Sequence, residues 1–558
     1  MTWEALLDYD WPRQPHPALV ALALAKAALL RIPEGEVSSE DPRASVWTLG
    51  AAMLAALAKQ TAPLTEADAG RGIGDDEMFV GDCLIELVCG LDAISDPVDG
   101  ESIWGAWFGM IGAQHSVQAD IGTSLVRARA ILGLGMFADP GSQETDDLIR
   151  THYGADLATA CALLMVLPTR LRTHPAFHVG RELRGSPRRD ELAPIFAKMM
   201  RGMSREAVDV RRTVLEDMRG LRGLYTVTCA FWQRFPAVHL GSGHYLLAPY
   251  RLVAAQLGFG LVLHVMRLAL EKYGRRDNPV TVAMGNRFQR YVHRVLSELA
   301  DHEVVDEHEF IRGGSERSAD HLVFDPDGRC VTVVEDKLAR LSYRTFFGHG
   351  LSALEHDITR WIAPSLRQAF VYLHRAQTAG ERRRLAAARE DISRRVVACE
   401  AINIVVVVPA FPPIAHAQQI RDRIAAILSD EIESWAREHS RAGVGLAVWY
   451  SRLRSDRRVA WHVLEVEDLE NFVAYRARGQ ALGGTIRRYL DAVAGKPPID
   501  GTRFLKGFGE YVRSSMQHAK SRIPDLIASA FNEAVDESNR ILFGRGAPAS
   551  SLVPRPRT

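Results

Sequence analysis

Three charged side chains near the middle of the chain, Asp320, Glu335 and Lys337, have the types and the spacing that could support chemistry. Two carboxylates on one face of a sheet can hold a hard divalent cation such as Mg²⁺, which prefers oxygen ligands. A lysine beside that cation can orient an attacking water and offset negative charge in a transition state. This chemistry requires all three side chains to meet on one face, so it depends on the elements that carry them.

The segment around these residues is predicted to form a β-hairpin. Two apolar runs, residues 321–324 and 330–334, flank the tetrapeptide Asp325-Pro326-Asp327-Gly328. A proline followed by Asp-Gly is typical of a tight turn between two strands. The simplest register pairs the first and last residues of that tetrapeptide across the turn.

The hairpin register decides which side chains meet. With this pairing Asp320 faces Val333 and lies diagonal to Glu335, within reach of long side chains. Side chains alternate along a strand, so Glu335 and Lys337 share a face while Asp336 points the other way. A pairing shifted by one residue would separate the two carboxylates. A solvated surface hairpin with a charged tip is the alternative interpretation.

Helices and strands are predicted on both sides of the hairpin. A helix is predicted at 285–299, a strand at 303–311, a helix at 364–375 and a strand at 402–408. The last of these, INIVVVV, is typical of a strand buried in a parallel sheet. Further along, a helix at 415–437 and strands at 444–450 and 459–466 would extend the same layer.

The D…E-x-K pattern of Asp320, Glu335 and Lys337 resembles the signature of the PD-(D/E)XK, or restriction-endonuclease-like, nuclease superfamily, over roughly residues 284–409. The resemblance implies an α/β core of order αβββαβ with a mixed central sheet. It also implies that Asp320, Glu335 and the backbone carbonyl of Asp336 hold Mg²⁺ (or Mn²⁺), and that Lys337 positions the water. Gln289 stands where relatives often carry a glutamate, which argues against a second metal ion.

Two further features would serve a nucleic-acid substrate. Gln368 and Tyr372 resemble the Q-x-x-x-Y feature of RecB-type members, which implies a place for Gln368 near the scissile phosphate and for Tyr372 against the nucleic acid; a plain surface pair is the alternative. The densest basic cluster could contact phosphates, although an exposed loop without a partner is an equal alternative. It comprises Arg452, Arg454, Arg457 and Arg458.

The length of 558 residues predicts two or three domains. The pattern predicts a mostly helical N-terminal domain at 1–235 and a bridging hairpin and apolar helix at 236–275, with the hairpin turning at 241–243. The α/β core with extra strands follows at 276–470, then a helical extension at 471–543 and a disordered tail at 544–558 rich in proline and small residues.

Composition narrows the classes of function. A formal net charge of zero excludes a whole-chain electrostatic attraction to nucleic acid, so any such surface must be local. Six scattered cysteines give no C-x-x-C spacing and indicate a reducing, cytoplasmic location. No segment predicts a signal peptide or a membrane span. His302 and His308 lie beside acids, but that pattern is a poor match to a zinc site.

These observations predict a Mg²⁺-dependent nuclease acting on nucleic acid, with DNA preferred. A nuclease core fused to a helical module resembles bacterial defence or restriction systems, which is an analogy from fold alone. The helical N-terminal domain is a candidate surface for a protein partner, a homo-oligomer is compatible with the sequence, and no membrane is involved. The alternative is a catalytically degenerate nuclease fold that binds nucleic acid or protein without cleaving it.

Overall fold

The protein is described here by a computed structural model. It describes residues 3–31, 46–71, 73–89, 121–171, 176–219, 224–248, 260–307, 318–339, 350–377, 387–409, 418–453, 458–476, 479–494, 499–500, 503–504, 508–515 and 524–544. The predicted disordered tail therefore lies outside the described residues, apart from Gly544. Among the described residues, no helix combines the length and the apolarity needed to cross a lipid bilayer.

The chain divides into two compact units. The first comprises Met1–Ala283, Phe346–Gly350 and Ser529–Thr558, and the second comprises Met284–Thr345 and Leu351–Ala528. The bridging segment predicted at 236–275 falls inside the first unit. The C-terminal helical extension predicted at 471–543 is divided between the two.

The described residues of the first unit are mostly helical, as predicted, and form one small sheet. Its helices are α1 (Trp3–Asp8), α2 (Pro17–Arg31), α3 (Val46–Leu57), α4 (Glu66–Arg71), α5 (Asp75–Cys89), α6 (Ile121–Leu132), α7 (Ser142–Tyr153), α8 (Leu157–Leu171), α9 (Val179–Glu182), α10 (Arg189–Met203), α11 (Val210–Met218), α12 (Leu224–Arg234) and α13 (Leu261–Tyr273). Its strands are β1 (Ala176–His178), β2 (Ser204–Glu206), β3 (Ala237–Gly241) and β4 (His244–Leu247), in the order β1-β4-β3-β2. The hairpin predicted around 241–243 is confirmed, because β3 and β4 are antiparallel.

The second unit is built on a five-stranded mixed sheet. Helix α14 (Pro279–Ser297) leads into β5 (Glu303–Asp306), β6 (His321–Phe324) and β7 (Cys330–Asp336), and then come α15 (Gly350–Asp357), a π-helical turn (Ile358–Ile362), α16 (Ala363–Gln377), α17 (Ala387–Ala398) and β8 (Ala401–Val408). Next are α18 (Gln418–Glu438), α19 (Ser440–Leu453), β9 (Val459–Glu465), α20 (Val466–Tyr475), α21 (Leu482–Val493), the short pair β10 (Ile499–Asp500) and β11 (Arg503–Phe504), and α22 (Phe508–Ser515). The α/β architecture expected for this part of the chain is present.

Strand directions in this sheet follow the lengths of the connections. The order is β5-β6-β7-β8-β9; β5, β6 and β7 are antiparallel neighbours, whereas β7, β8 and β9 run parallel. Parallel neighbours need long crossovers, and helices α15 to α17 and then α18 and α19 supply them. Helix α16 packs against β7 and β8, so the strand that carries Glu335 lies in the interior of the layer.

One strand prediction is wrong. Residues 444–450 were expected to form a strand, but they lie in α19. Leu446, Tyr450 and Leu453 are buried at the i, i+4 and i+7 spacing of a helix face. A short apolar run satisfies both a strand and a buried helix, and only the longer periodicity distinguishes them.

The register of the site hairpin also differs from the prediction. His321 pairs with Val334 and Phe324 with Val331, which sets Asp320 opposite Glu335 rather than opposite Val333. The turn is longer than assumed, since the backbone N–H of Asp325 donates to the carbonyl of Cys330 at 2.9 Å. The pairing therefore shifts by two residues, and an even shift leaves every side chain on its predicted face.

The C-terminal helix α23 (Asp525–Phe543) contributes acidic side chains to the first unit. Arg129 of α6 is only 4% exposed, and its guanidinium lies 2.5 Å from the carboxylate of Glu537. The backbone N–H of Met136 donates to Glu533 at 3.1 Å. A buried guanidinium is tolerated when it is paired, so α23 completes the environment of Arg129.

Candidate active site

Glu335 stands out among the described ionisable residues of the second unit. It has no exposed surface, and neither carboxylate oxygen has a hydrogen-bond partner among the described residues. The Nζ of Lys337 lies 3.7 Å from its Oε2. Burial raises the pKa of Glu335 well above its usual 4.5, and the Asp320 carboxylate raises it further. A buried carboxylate without donors needs a proton or a cation to satisfy it.

Asp320 is held beside Glu335 by two hydrogen bonds. Its Oδ2 accepts the backbone N–H of Asp336 at 2.6 Å, and its Oδ1 accepts the side-chain amide of Gln289 at 3.0 Å. Burial raises the pKa of Asp320, and the charge of Lys337 opposes that rise. A carboxylate has about four lone-pair sites, so Asp320 keeps acceptor capacity for a cation.

Gln289 is brought to this site by α14. Members of the nuclease superfamily that this chain resembles often carry a glutamate at this position, where this chain has an uncharged amide. In the structure that amide contacts Asp320. An amide N–H donates rather than coordinates, so this residue orients Asp320 and adds no negative charge. The donor set of Asp320 and Glu335 therefore fits one hard cation rather than two.

Lys337 lies at the end of β7, where the buried layer meets solvent. Its backbone N–H donates to the carbonyl of Val407 at 2.9 Å, which fixes the residue against β8. Its side chain is 33% exposed, whereas that of Glu335 is fully buried. The ammonium is thus positioned between the carboxylates and the solvent, where a phosphate or a water could approach.

The Asp336 side chain points away from Glu335, as predicted, and meets a residue that the sequence interpretation missed. A hydrogen bond of 2.7 Å joins its Oδ2 to Nε2 of His321, and both side chains are buried. Burial lowers the pKa of His321, but Asp336 outweighs it and the pKa rises to about 9. Burial raises the pKa of Asp336 to about 6 despite the imidazolium. Strand alternation places His321 and Asp336 on one face, so this signal was present in the sequence.

Tyr372 does not lie where the resemblance implied. It is 3% exposed on α16, and burial raises the pKa of its hydroxyl. A base or phosphate could not reach the buried ring, so the structure does not support the predicted nucleic-acid contact of Tyr372. Gln368 is half-buried one turn earlier, and within the described residues no hydrogen bond joins it to Asp320 or Glu335.

The predicted basic cluster is only partly described. Arg454 and Arg457 lie outside the described residues. Arg452 is exposed at the end of α19, and Arg458 is half-buried with its guanidinium donating to the carbonyl of Val397. Arg458 thus holds the last turn of α17, which does not suit a freely available phosphate contact.

His302 has a structural environment. Its side chain is fully buried, its Nδ1 lies 2.9 Å from Asp301 Oδ1, and its Nε2 accepts the backbone N–H of Leu482 at 3.1 Å. Both ring nitrogens are therefore occupied by protein groups. His308 lies outside the described residues.

Comparisons with known proteins add no family to this picture. No family model matches the chain, and neither a curated protein nor a solved structure matches it. The resemblance to the nuclease superfamily stays an inference from Asp320, Glu335, Lys337 and the order of the surrounding elements.

Proposed function

We propose that this chain is a Mg²⁺-dependent nuclease that hydrolyses phosphodiester bonds, with DNA as the preferred substrate. The observation that carries the proposal is Glu335, a fully buried carboxylate that has no hydrogen-bond partner among the described residues and is set opposite Asp320 and beside Lys337. A buried carboxylate of this kind lowers the stability of the fold unless a proton or a cation satisfies it. Metal coordination would satisfy it, and this donor set supports that role.

The residues divide the work by position. Asp320 and Glu335, with the backbone carbonyl of Asp336, would hold the cation, and Mn²⁺ suits the same oxygen ligands. The cation would supply an activated water and stabilise charge on the phosphoryl oxygens. Lys337, whose side chain is partly exposed, would orient the attacking water and offset negative charge in the transition state. Gln289 keeps the Asp320 carboxylate in one orientation through its amide.

A catalytically degenerate binding module is the second candidate. Both oxygens of Asp320 already accept a protein hydrogen bond, from Gln289 and from the backbone of Asp336. An Asp320 satisfied in this way is less demanding of a cation than Glu335 is. In this alternative the unit would bind nucleic acid or protein with Lys337 as a simple point charge.

A cleavage assay separates the two candidates. Labelled linear duplex, circular duplex, single-stranded DNA and RNA are incubated with the protein in Mg²⁺ and in EDTA. We expect Mg²⁺-dependent cleavage by the wild type and none by Asp320→Asn. The matched control is Asp327→Asn, an exposed aspartate in the turn of the same hairpin, which should cleave like the wild type. Wild-type binding without cleavage of any substrate would refute the nuclease and favour the binding module.

A further inference from the structure

Three residues from consecutive elements form a second cluster of metal-ligating side chains. His293 lies on α14, Asp306 ends β5 and His321 begins β6. Asp306 and His321 are directly paired across the two strands, so their side chains share a face. One ligand atom from each of the three residues lies within 4.8 Å of the others. The nuclease mechanism uses none of these side chains.

The distances suit a compact metal site. His321 Nδ1 lies 3.3 Å from Asp306 Oδ1, and His293 Nδ1 lies 2.5 Å from the same oxygen. Ligands about 2.0–2.1 Å from a tetrahedral zinc ion are about 3.3–3.4 Å apart, so the first distance already fits. The side chains of His293 and Asp306 are 32% and 59% exposed. Each can therefore shift by the roughly 1 Å that would bring the other two ligand–ligand distances to the tetrahedral value.

The hydrogen bonds around the cluster point the same way. His321 uses Nε2 for the Asp336 carboxylate, which directs Nδ1 toward Asp306. A carboxylate behind a ligating histidine is the usual outer partner of a zinc-bound imidazole. The buried Nδ1 of His293 makes no hydrogen bond of acceptable geometry among the described residues, although an aspartate oxygen is adjacent.

We propose that His293, Asp306 and His321 form a binding site for a divalent transition cation of the zinc class, with Asp336 as the outer-shell partner of His321. Imidazole nitrogens favour zinc and its neighbours over magnesium, which keeps to oxygen ligands. Three protein ligands leave a fourth position open to water or to a substrate oxygen. The side chains of Asp336 and Glu335 point to opposite faces of β7, so this site and the proposed Mg²⁺ site lie on different faces of the strand.

Metal titration of the full chain tests the proposal. Protein stripped with EDTA is titrated with Co²⁺, whose visible absorption reports its coordination, and with Zn²⁺ in competition with a chromogenic chelator. We expect one tight equivalent for the wild type. His293→Ala alters a partly exposed side chain and Asp306→Asn an exposed one. Both variants keep the buried His321, and each should weaken binding at least tenfold. Asp336→Asn should weaken it roughly 10- to 100-fold, as loss of an outer-shell partner does.

Two further variants make the result specific. His439→Ala removes an exposed imidazole from the same unit and should bind Co²⁺ like the wild type. Glu335→Gln should keep the Co²⁺ equivalent while losing Mg²⁺ binding, which separates this site from the proposed nuclease centre. Wild-type protein that binds neither Co²⁺ nor Zn²⁺ would overturn the proposal, and so would His293→Ala protein that binds them with unchanged affinity. In that case the two histidines would share protons with Asp306 through hydrogen bonds and would not bind a metal.

Discussion

Replacing Glu335 with glutamine separates the energetic penalty of a buried charge from the proposed role of that charge in binding metal. The side chain has no exposed surface and no hydrogen-bond partner for either oxygen among the described residues. Glutamine has nearly the same shape and carries no charge. In the absence of metal, Glu335→Gln should therefore be as stable as the wild type or more stable, whereas most core substitutions are destabilising.

The pH dependence gives this prediction its sign and size. The folded pKa of Glu335 is raised above 4.5, so on raising the pH the unfolded chain releases this proton first. Wild-type stability from this group is complete below pH 4.5 and falls as the pH rises toward the folded pKa, by at most about 1.4 kcal/mol per pH unit. The glutamine variant lacks this decline, so the difference between the two proteins should grow from pH 4.5 upward.

Urea unfolding with and without Mg²⁺ is the assay, carried out at pH 5 and pH 8. A cation present at a hundred times its dissociation constant should stabilise the wild type by about 2.7 kcal/mol and should leave Glu335→Gln unchanged. Glu400→Gln is the matched control, because Glu400 is 63% exposed in a surface pair with Arg329 and should change stability by less than about 0.5 kcal/mol. A glutamine variant clearly less stable than metal-free wild type at pH 8, or equally stabilised by Mg²⁺, would refute the reasoning.

Three further outcomes are expected. Lys337→Ala should keep the Mg²⁺-dependent rise in melting temperature but lose about a hundredfold or more in cleavage rate; loss of both together would contradict its assigned role. Asp325→Ala removes the carboxylate that accepts the first backbone N–H groups of α21, at 3.0 and 3.2 Å, and should lower the unfolding free energy by about 1–2 kcal/mol in urea. Burial lowers the pKa of His264 to about 4, so its stabilising contribution is complete above pH 6.5 and is lost as the pH falls toward 4. His264→Gln should flatten the acid side of the stability profile, by at most about 3 kcal/mol, and an unchanged profile would show that His264 titrates normally.

The parts of the fold that follow a local rule were predictable from the sequence. Alternation along β7 correctly assigned Glu335 and Lys337 to one side and Asp336 to the other. The register was not predictable, because it depends on which residues close the turn, and the closing bond joins Asp325 to Cys330. Since the error was an even number of residues, the site survived it.

Features that depend on tertiary packing could not be read from local patterns. The burial of Tyr372 depends on α16 packing against the sheet and α17, which a two-residue motif does not encode. The pairing of His321 with Asp336 follows from alternation once the hairpin is drawn, but the approach of His293 requires the position of α14. Periodicity identifies faces, whereas it does not identify which faces meet.

The return of α23 to the first unit has a consequence during synthesis on the ribosome. Arg129 and Glu537 are 408 residues apart in the chain. At about 5–20 residues per second, roughly 20–80 s pass between the synthesis of Arg129 and that of Glu537. The whole second unit is synthesised in that interval. A buried arginine without its partner is unfavourable by about 3–5 kcal/mol. The N-terminal helices are therefore exposed to chaperones and proteases in an incomplete state, and translation that stops before α23 should leave a nascent chain marked for degradation although most of it has been made.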